Sequence, residues 1–315
     1  MKPSMGVYKN YEKQQVGDLK MKNPELMIEA HDLRRVFGKK EAVAGISFEV
    51  RRGEIFGFLG PNGAGKTTTI RMLTGQIDPS AGEAIVADCN VVGERQQLKE
   101  RIGVVFEEQN LYERLSARDN LEFSCGLYGI ARSRVGEVLE LVSLRDRGKE
   151  TVQSFSNGMR QRLMIARALL HKPLVLFLDE PGRGLDPIAA GSIRRTISQL
   201  SQEGMTVLLT THLMEEADQL CQHVAFIVNG HIVANDTPRA LKLAHGKPTL
   251  TVVVANQKMG QNSQQSLEDY TLSMDDPADQ ARLAQWMKQG QIRAVHSAEG
   301  SLEDVFRQVA GVQLI

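Results

Sequence analysis

The spacing of apolar residues divides the chain into three stretches of different character. Residues 1 to 26 are polar and contain lysines without an apolar block, and they are expected to form a flexible leader. Near Leu26 the run MIEAHDLRRVF begins to alternate as a strand does. Residues 41 to 59 supply two more strands, AVAGISFEV and EIFGFLG, parted by Arg51, Arg52 and Gly53 in a tight turn. The pattern then predicts a helix from Lys66 through Leu73, stopped at Gly75, and strands at Ala84 to Val86 and Ile102 to Phe106. Between about 110 and 170 the spacing becomes helical, first through Asn120, Leu121, Phe123 and Leu127, then through Val135, Val138, Leu139 and Val142. This helical block interrupts the strands around it.

From Leu174 an alternation of strands and helices returns. LVLFLDE reads as a buried strand, Ile188 to Gln202 as a helix, TVLLTTH as a strand, and Met214 to Cys221 as a helix. HVAFIVNGHIVAND is a hairpin turning at Asn229-Gly230. This order implies a mainly parallel core sheet in a domain covering residues 27–246. After His245-Gly246-Lys247-Pro248 the composition changes, and residues 247–315 are expected to form a small α/β appendix. Its residues 249 to 255 alternate as a strand, 256 to 268 are rich in Gln and Ser, and Leu283, Trp286 and Met287 share a helical face. The last helix opens with Ser301 and Asp304 in a capping-box pattern. Its stripe of Leu302, Val305, Phe306 and Val309 suits either core packing or a docking face.

The 315 residues are 42% hydrophobic and 24% charged, which describes a folded chain of ordinary composition. Lys+Arg and Asp+Glu both total 38, so no global positive field draws the chain to nucleic acid or anionic lipid. Cys89, Cys125 and Cys221 lie far apart without metal-ligand spacing, which suits a reducing compartment. No run approaches the roughly 18 apolar residues that cross a bilayer, and the first 25 residues lack an apolar signal core. The expectation is a protein on the cytoplasmic side that reaches a membrane only through a partner.

Four short segments carry candidate chemistry. GPNGAGKTT, residues 60 to 68, follows an apolar strand and reads as a phosphate-binding loop. Its glycines, Gly60, Gly63 and Gly65, let backbone N–H groups converge on phosphate oxygens. Lys66 supplies positive charge to the β and γ phosphates, Thr67 a hydroxyl for Mg²⁺, and the following helix its positive end. LVLFLDE places Asp179 and Glu180 at a strand end, where Asp179 would hold Mg²⁺ through water and Glu180 would polarise an attacking water. His212 ends the strand TVLLTT, within reach of the γ phosphate or that water; taken alone it is an unremarkable surface residue. FSNGMRQR, residues 155 to 162, precedes an apolar helix, with Ser156 as a helix cap. Ser156, Asn157 and Gly158 offer a hydroxyl and free N–H groups to an anion, although in isolation they describe only a capped helix.

The set GPNGAGKTT, FSNGMRQR, LVLFLDEP, GLDP and TTH, in this order, closely resembles the ATP-binding subunits of ABC transporters over residues from about 27 to 240. The resemblance implies the P-loop nucleotide hydrolase fold of ABC ATPase type, with an antiparallel β subdomain and an inserted helical subdomain at about 110–170. It implies ATP and Mg²⁺ as ligands and a second ATP-binding subunit, a homodimer being expected. FSNGM would be the signature that reaches across the dimer to the partner's γ phosphate. Gly184, Leu185 and Asp186 match the loop that links the two sites, and Phe37 the aromatic that stacks on adenine, though Phe37 also suits a core position. Val43, Pro61, Asn62, Ala64 and Thr68 join the implied nucleotide-binding set.

Two departures stand out. Where the family usually carries Gln after a strand such as Ile102 to Phe106, this chain has Glu107, Glu108 and Gln109. Either Glu107, as a carboxylate ligand of Mg²⁺ or its water, or Gln109 would take that place. The signature has Phe155 and Asn157 where Leu and Gly are commoner. The ending SLEDVFRQVAG, residues 301 to 311, looks like that of the daunorubicin-resistance-like exporter ATPases, which serve drug, lipid, polysaccharide and ion export. The resemblance therefore implies an ATP-hydrolysing subunit that drives a separate membrane permease from the cytoplasmic face of the inner membrane, with no nucleic-acid partner. In the family the block near NLYERLSARDNL receives a helix of the permease, and Leu111, Tyr112 and Leu115 are expected to line that groove. The rival readings are a soluble ATPase of this type acting on nucleic acid or ribosomes, and a nucleotide switch with scant turnover, of which Glu107 would be the sign.

Overall fold

The structure is a computed structural model that describes residues 23, 25–245, 249–256, 266–298 and 300–311. Nearly all of the expected leader and residues 257–265 of the polar stretch lie outside them. Three sheets organise the described chain. The central one has six strands: β3 (Ile55–Leu59), β6 (Ile102–Val105), β7 (Val175–Asp179), β8 (Thr206–Thr211), β9 (His223–Val228) and β10 (His231–Asp236). Their order is β10-β9-β3-β8-β7-β6, parallel except for β10, which folds back through Asn229-Gly230. Every residue of β3, β7 and β8 is buried, because a parallel sheet covered on both faces has no solvent side and favours apolar runs such as VLFL and VLL over alternation.

An antiparallel sheet of order β2-β1-β4-β5 lies against this core and comprises β1 (Leu26–Phe37), β2 (Lys40–Arg51), β4 (Ala81–Val86) and β5 (Cys89–Asn90). The two sheets meet through Phe48, Phe56 and Phe58, with Phe48 edge-on to Phe58 at 4.8 Å between ring centroids. Helix α1 (Lys66–Leu73) follows β3, and α2 (Arg95–Arg101) precedes β6. The inserted block consists of α3 (Ala117–Tyr128), α4 (Arg134–Leu141) and α5 (Asn157–Ala168), and its apolar stripes share one core with the far face of the central sheet. Ser116 caps α3 by accepting the Asp119 N–H at 3.0 Å.

Helices α6 (Pro187–Gln202), α7 (Met214–Leu220) and α8 (Pro238–His245) complete the larger unit. The appendix has a three-stranded sheet, β12 (Ser266–Ser273), β11 (Thr249–Asn256) and β13 (Ile292–Ala298), on which α9 (Pro277–Lys288) lays Leu283 and Trp286 over Val252, Val254 and Leu272. Its last helix, α10 (Leu302–Ala310), leaves that sheet and packs against α7, α8, β9 and β10. Leu302, Val305 and Phe306 are buried in the core of the larger unit, and the Phe306 ring meets Phe226 edge-on at 5.4 Å. Of the two uses open to this stripe, the structure shows core packing.

Candidate functional site

The carboxyl ends of β3, β8 and β7 lie side by side in the sheet, and each delivers one part of the site. Beyond β3 the chain turns through Gly60 to Gly65 into α1. Both outer glycines are required by close backbone neighbours. A Cβ on Gly60 would sit 2.2 Å from the Ile227 carbonyl oxygen, and one on Gly65, at φ +112°, 2.5 Å from that of Ala42. Lys66 folds back over the loop, is buried, and donates to the carbonyls of Gly60 at 2.6 Å and Pro61 at 3.2 Å. The cleft above the loop, of about 240 Å³, is bounded by Phe37, Asn62, Thr67, Thr68, Glu107 and Glu180 among others.

At the end of β7, Asp179 pairs in register with Thr210 and accepts its hydroxyl at 2.5 Å. The next residue, Glu180, has φ +51°, a conformation that L side chains rarely adopt. Its N–H donates to Thr210 O at 3.1 Å, which holds it there. The turn aims its buried carboxylate at the loop: Oε2 meets His212 Nδ1 at 2.7 Å, and Oε1 lies 3.2 Å from Lys66 Nζ. Oε1 makes no hydrogen bond, so the ammonium is near enough to pair with it but is not aligned to donate to it.

Phe37 is 46% exposed at the rim of this cleft, with the Arg35 guanidinium 4.5 Å from its ring centroid, so it is not a core residue. Val43, expected at the nucleotide, is buried in the core and packs behind Gly65, while neighbouring Ala42 lines the cleft; strand alternation turns adjacent side chains to opposite faces. Glu107 borders the phosphate cleft and pairs with Arg183. Gln109 borders a second cleft, of about 310 Å³, with Asn157, Gln161, Arg183 and Leu185. Of the two candidates, the carboxylate is the one at the phosphate loop.

At the start of α5, Ser156 and Gly158 line neither cleft, whereas Asn157 borders the second, which Glu107 and Glu180 share with the first. Ser156 Oγ accepts the Met159 N–H at 3.3 Å. A Cβ on Gly158 would stand 2.6 Å from the Ala189 Cβ, so the start of α5 abuts the first turn of α6. Asp186 caps that turn, accepting from the N–H groups of Ile188 at 3.0 Å and Ala189 at 2.9 Å. The structure therefore gathers Phe37, Lys66, Thr67, Glu107 and Glu180 at one cleft, joins Asp179 and His212 to it through Thr210 and Glu180, and leaves Ser156, Gly158 and Asp186 outside it. Sequence reasoning missed Thr210, which ties Asp179 to Glu180, and Arg183. A threonine ending the apolar run TVLLTT was the available signal for the first.

The donors suit Mg²⁺ held partly by a polyphosphate. No group of three or more His, Cys, Asp or Glu able to hold a metal ion occurs among the described residues. Mg²⁺ needs no such cage, since it keeps waters and phosphate oxygens beside one or two carboxylates. The Thr67 hydroxyl and the Asp179 and Glu107 carboxylates fit that role.

Comparison with known proteins agrees with this geometry. The family profile described as "ABC transporter" matches residues 43–183. The chain is 42% identical over 273 residues to the fluoroquinolones export ATP-binding protein of Mycobacterium tuberculosis, covering 87% of this chain and 89% of that protein. It is 41% identical over 228 residues to a linearmycin resistance ATP-binding protein of Bacillus subtilis, covering 71% of this chain and 73% of the other. Among solved structures, the ATP-binding subunit of an ABC transporter superposes with a TM-score of 0.62 at 27% identity, over 69% of this chain and 92% of that one. A subunit of a Clostridium perfringens ABC transporter complex superposes with a TM-score of 0.64 at 26% identity, over 69% and 90%. The chain belongs to the ABC transporter family, as an ATP-binding ATPase subunit.

Proposed function

We propose that the chain hydrolyses ATP to drive an exporter, pairing with a second ATP-binding subunit, in the simplest case another copy of itself, beneath a separate membrane permease. The observation that carries this reading is the meeting of Lys66, Glu180 and His212 at the ends of three adjacent strands. Lys66 and the N–H groups at the start of α1 would hold the β and γ phosphates. Phe37, exposed at the rim, would stack on adenine. Glu180 would orient and polarise the attacking water, and His212, hydrogen-bonded to it, would fix the carboxylate and face the γ phosphate. Thr67, Asp179 and Glu107 would hold Mg²⁺, which supplies charge neutralisation on the phosphates when bound.

Ser156 and Gly158 stand off this cleft, an arrangement that suits their contributing to a nucleotide held by the partner subunit. ATP would then favour the closed pair, because each nucleotide touches both subunits only when they meet, and loss of the γ phosphate would reopen it. No helix among the described residues is long and apolar enough to cross a membrane. That is consistent with action from the cytoplasmic face of the inner membrane through the permease. The docking face would be the apolar surface of the inserted block. Tyr112, Leu115, Phe123, Leu127 and Tyr128 are exposed there, and Tyr112 packs edge-on to Phe123 at 5.0 Å; Leu111 is only partly buried against the core.

The cargo would be a drug, lipid, polysaccharide or ion, and the names of the relatives favour the first. The alternative, a nucleotide switch outside transport, rests on Glu107 standing where the family usually carries Gln, and steady turnover would dismiss it. Co-purification with a candidate permease tests the main reading. Replacement of Tyr112 and Leu115 by Asp should abolish association and permease-stimulated turnover while basal turnover persists; unchanged association would contradict the assigned docking face.

A further inference from the structure

Glu216, the third residue of α7, is buried, and the chemistry described above does not use it. Its Oε2 accepts the Thr211 hydroxyl at 3.0 Å, and that same hydroxyl oxygen accepts the Leu213 N–H at 3.0 Å. The carboxyl thus holds the residues on either side of His212. Its other oxygen, Oε1, is buried without a hydrogen-bond partner. It presses on Gly182, where a Cβ would lie 2.5 Å from Oε1 and 3.1 Å from Oε2. Gly182 stands two residues beyond Glu180, so one carboxyl touches both segments that bring Glu180 and His212 to within 2.7 Å of each other. The titratable and charged groups that face it are Arg194 of α6, Glu180 and His212.

A buried carboxyl with an unmet oxygen lowers stability, and its helix neighbours Ala217 and Leu220 show that apolar side chains fill this interface. Such a cost retained beside reacting groups points to a task there. We infer that Glu216 is a positioning residue for ATP hydrolysis, holding the chain after Glu180 and the chain around His212 at one fixed spacing. Gly182 is the other half of the device, since only a residue without a side chain lets the carboxyl reach the backbone. The inference rests on the ATPase reading and adds a residue that acts through Thr211 and Gly182 without touching the nucleotide.

Turnover and the KM for ATP should be measured for wild type, Glu216→Ala, Glu216→Gln, Gly182→Ala and the double variant Gly182→Ala/Glu216→Ala. Displacement of a reacting group by an ångström costs up to about a hundredfold. Glu216→Ala should therefore lower kcat by roughly ten- to a hundredfold with KM within about twofold of wild type. Glu216→Gln, which retains an acceptor for Thr211, should keep most of kcat. Gly182→Ala should lose kcat as Glu216→Ala does, and the double variant should be no worse than the poorer single one, because both break one contact. Wild-type kcat in Glu216→Ala, an equal change in KM, or losses that multiply in the double variant would overturn the inference. If Glu216→Ala does not fold, wild-type kcat in Gly182→Ala overturns it. A wild-type chain that does not hydrolyse ATP would instead bring down the ATPase reading, and this inference with it.

Discussion

Lys66 Nζ lies 3.2 Å from Glu180 Oε1, and both side chains are buried. The cation assigned to phosphate and the carboxylate assigned to water therefore neutralise each other in the interior, where either charge alone would be costly. A triphosphate offers Lys66 a stronger anionic partner, so nucleotide binding competes with the pair. Lys66→Ala should lower ATP affinity at least about tenfold, the equivalent of one charge-assisted hydrogen bond. It also leaves the buried Glu180 carboxylate without its ammonium partner, and the unfolding free energy should fall by about 1–3 kcal/mol. Nucleotide titration and urea unfolding read the two effects; unchanged ATP affinity would contradict the role given to Lys66.

Arg183 and Glu107 form an ion pair, each about half exposed, at the border between the phosphate cleft and the cleft beside α5. Exposed pairs contribute little to stability, so Arg183→Ala should change it by less than about 1 kcal/mol. Its effect should fall on the nucleotide. Without Mg²⁺ to take it up, the uncompensated Glu107 charge then faces the phosphates, and the Kd for ATP measured in EDTA should rise several-fold. Glu107→Gln in the same background should reverse that rise, which metal-free nucleotide titration of the two variants would check.

Phe306 ends up far from where its place in the chain suggests, buried against Phe226 of the central sheet. Phe306→Ala should cost about 3–5 kcal/mol, the usual loss for a large aromatic removed from a core. Removal of residues 301–315 should destabilise the nucleotide unit itself, seen as a lower urea midpoint. An unchanged midpoint would mean that α10 is dispensable to that core.

Burial pushes the Glu216 carboxyl above its usual value of 4.5. The folded chain then holds the proton more tightly than the unfolded one. The stability it contributes is whole below the unfolded value and is lost as pH rises through the folded value. Glu216→Gln has no such titration, so relative to wild type it should gain stability as pH is raised above the ordinary glutamate range. Urea midpoints of both proteins from pH 4.5 to neutral would show whether the gap opens in that direction.

Strands β3, β7 and β8 were legible in the sequence because burial on both faces favours short apolar runs, IFGFL, VLFL and VLL, over alternation. So was the turn from β3 into α1, which the glycine spacing after an apolar run marks. Helices α2 and α8 escaped notice because Leu98 is the one buried residue of the first, and Pro238 and Leu241 the two of the second, too few to mark a stripe. The stripe of α10 left core packing and a docking face both open, because an apolar helical face does not name what covers it. The choice between Glu107 and Gln109 was equally closed to sequence, since periodicity carries no information in a loop. Glu216 was hidden for another reason: beside Glu215, in the first turn of α7, it reads as a solvated acidic helix start.

The most direct test of the account is ATP-dependent association of the purified Glu180→Gln chain, followed by size exclusion beside wild-type turnover. General-base loss should reduce hydrolysis by on the order of a hundredfold or more, while Lys66, relieved of its carboxylate partner, still binds ATP. The account requires Glu180→Gln to elute as a dimer with ATP and as a monomer without it, while wild type hydrolyses ATP. A Glu180→Gln protein that turns over at the wild-type rate, or that remains a monomer at saturating ATP, would contradict it.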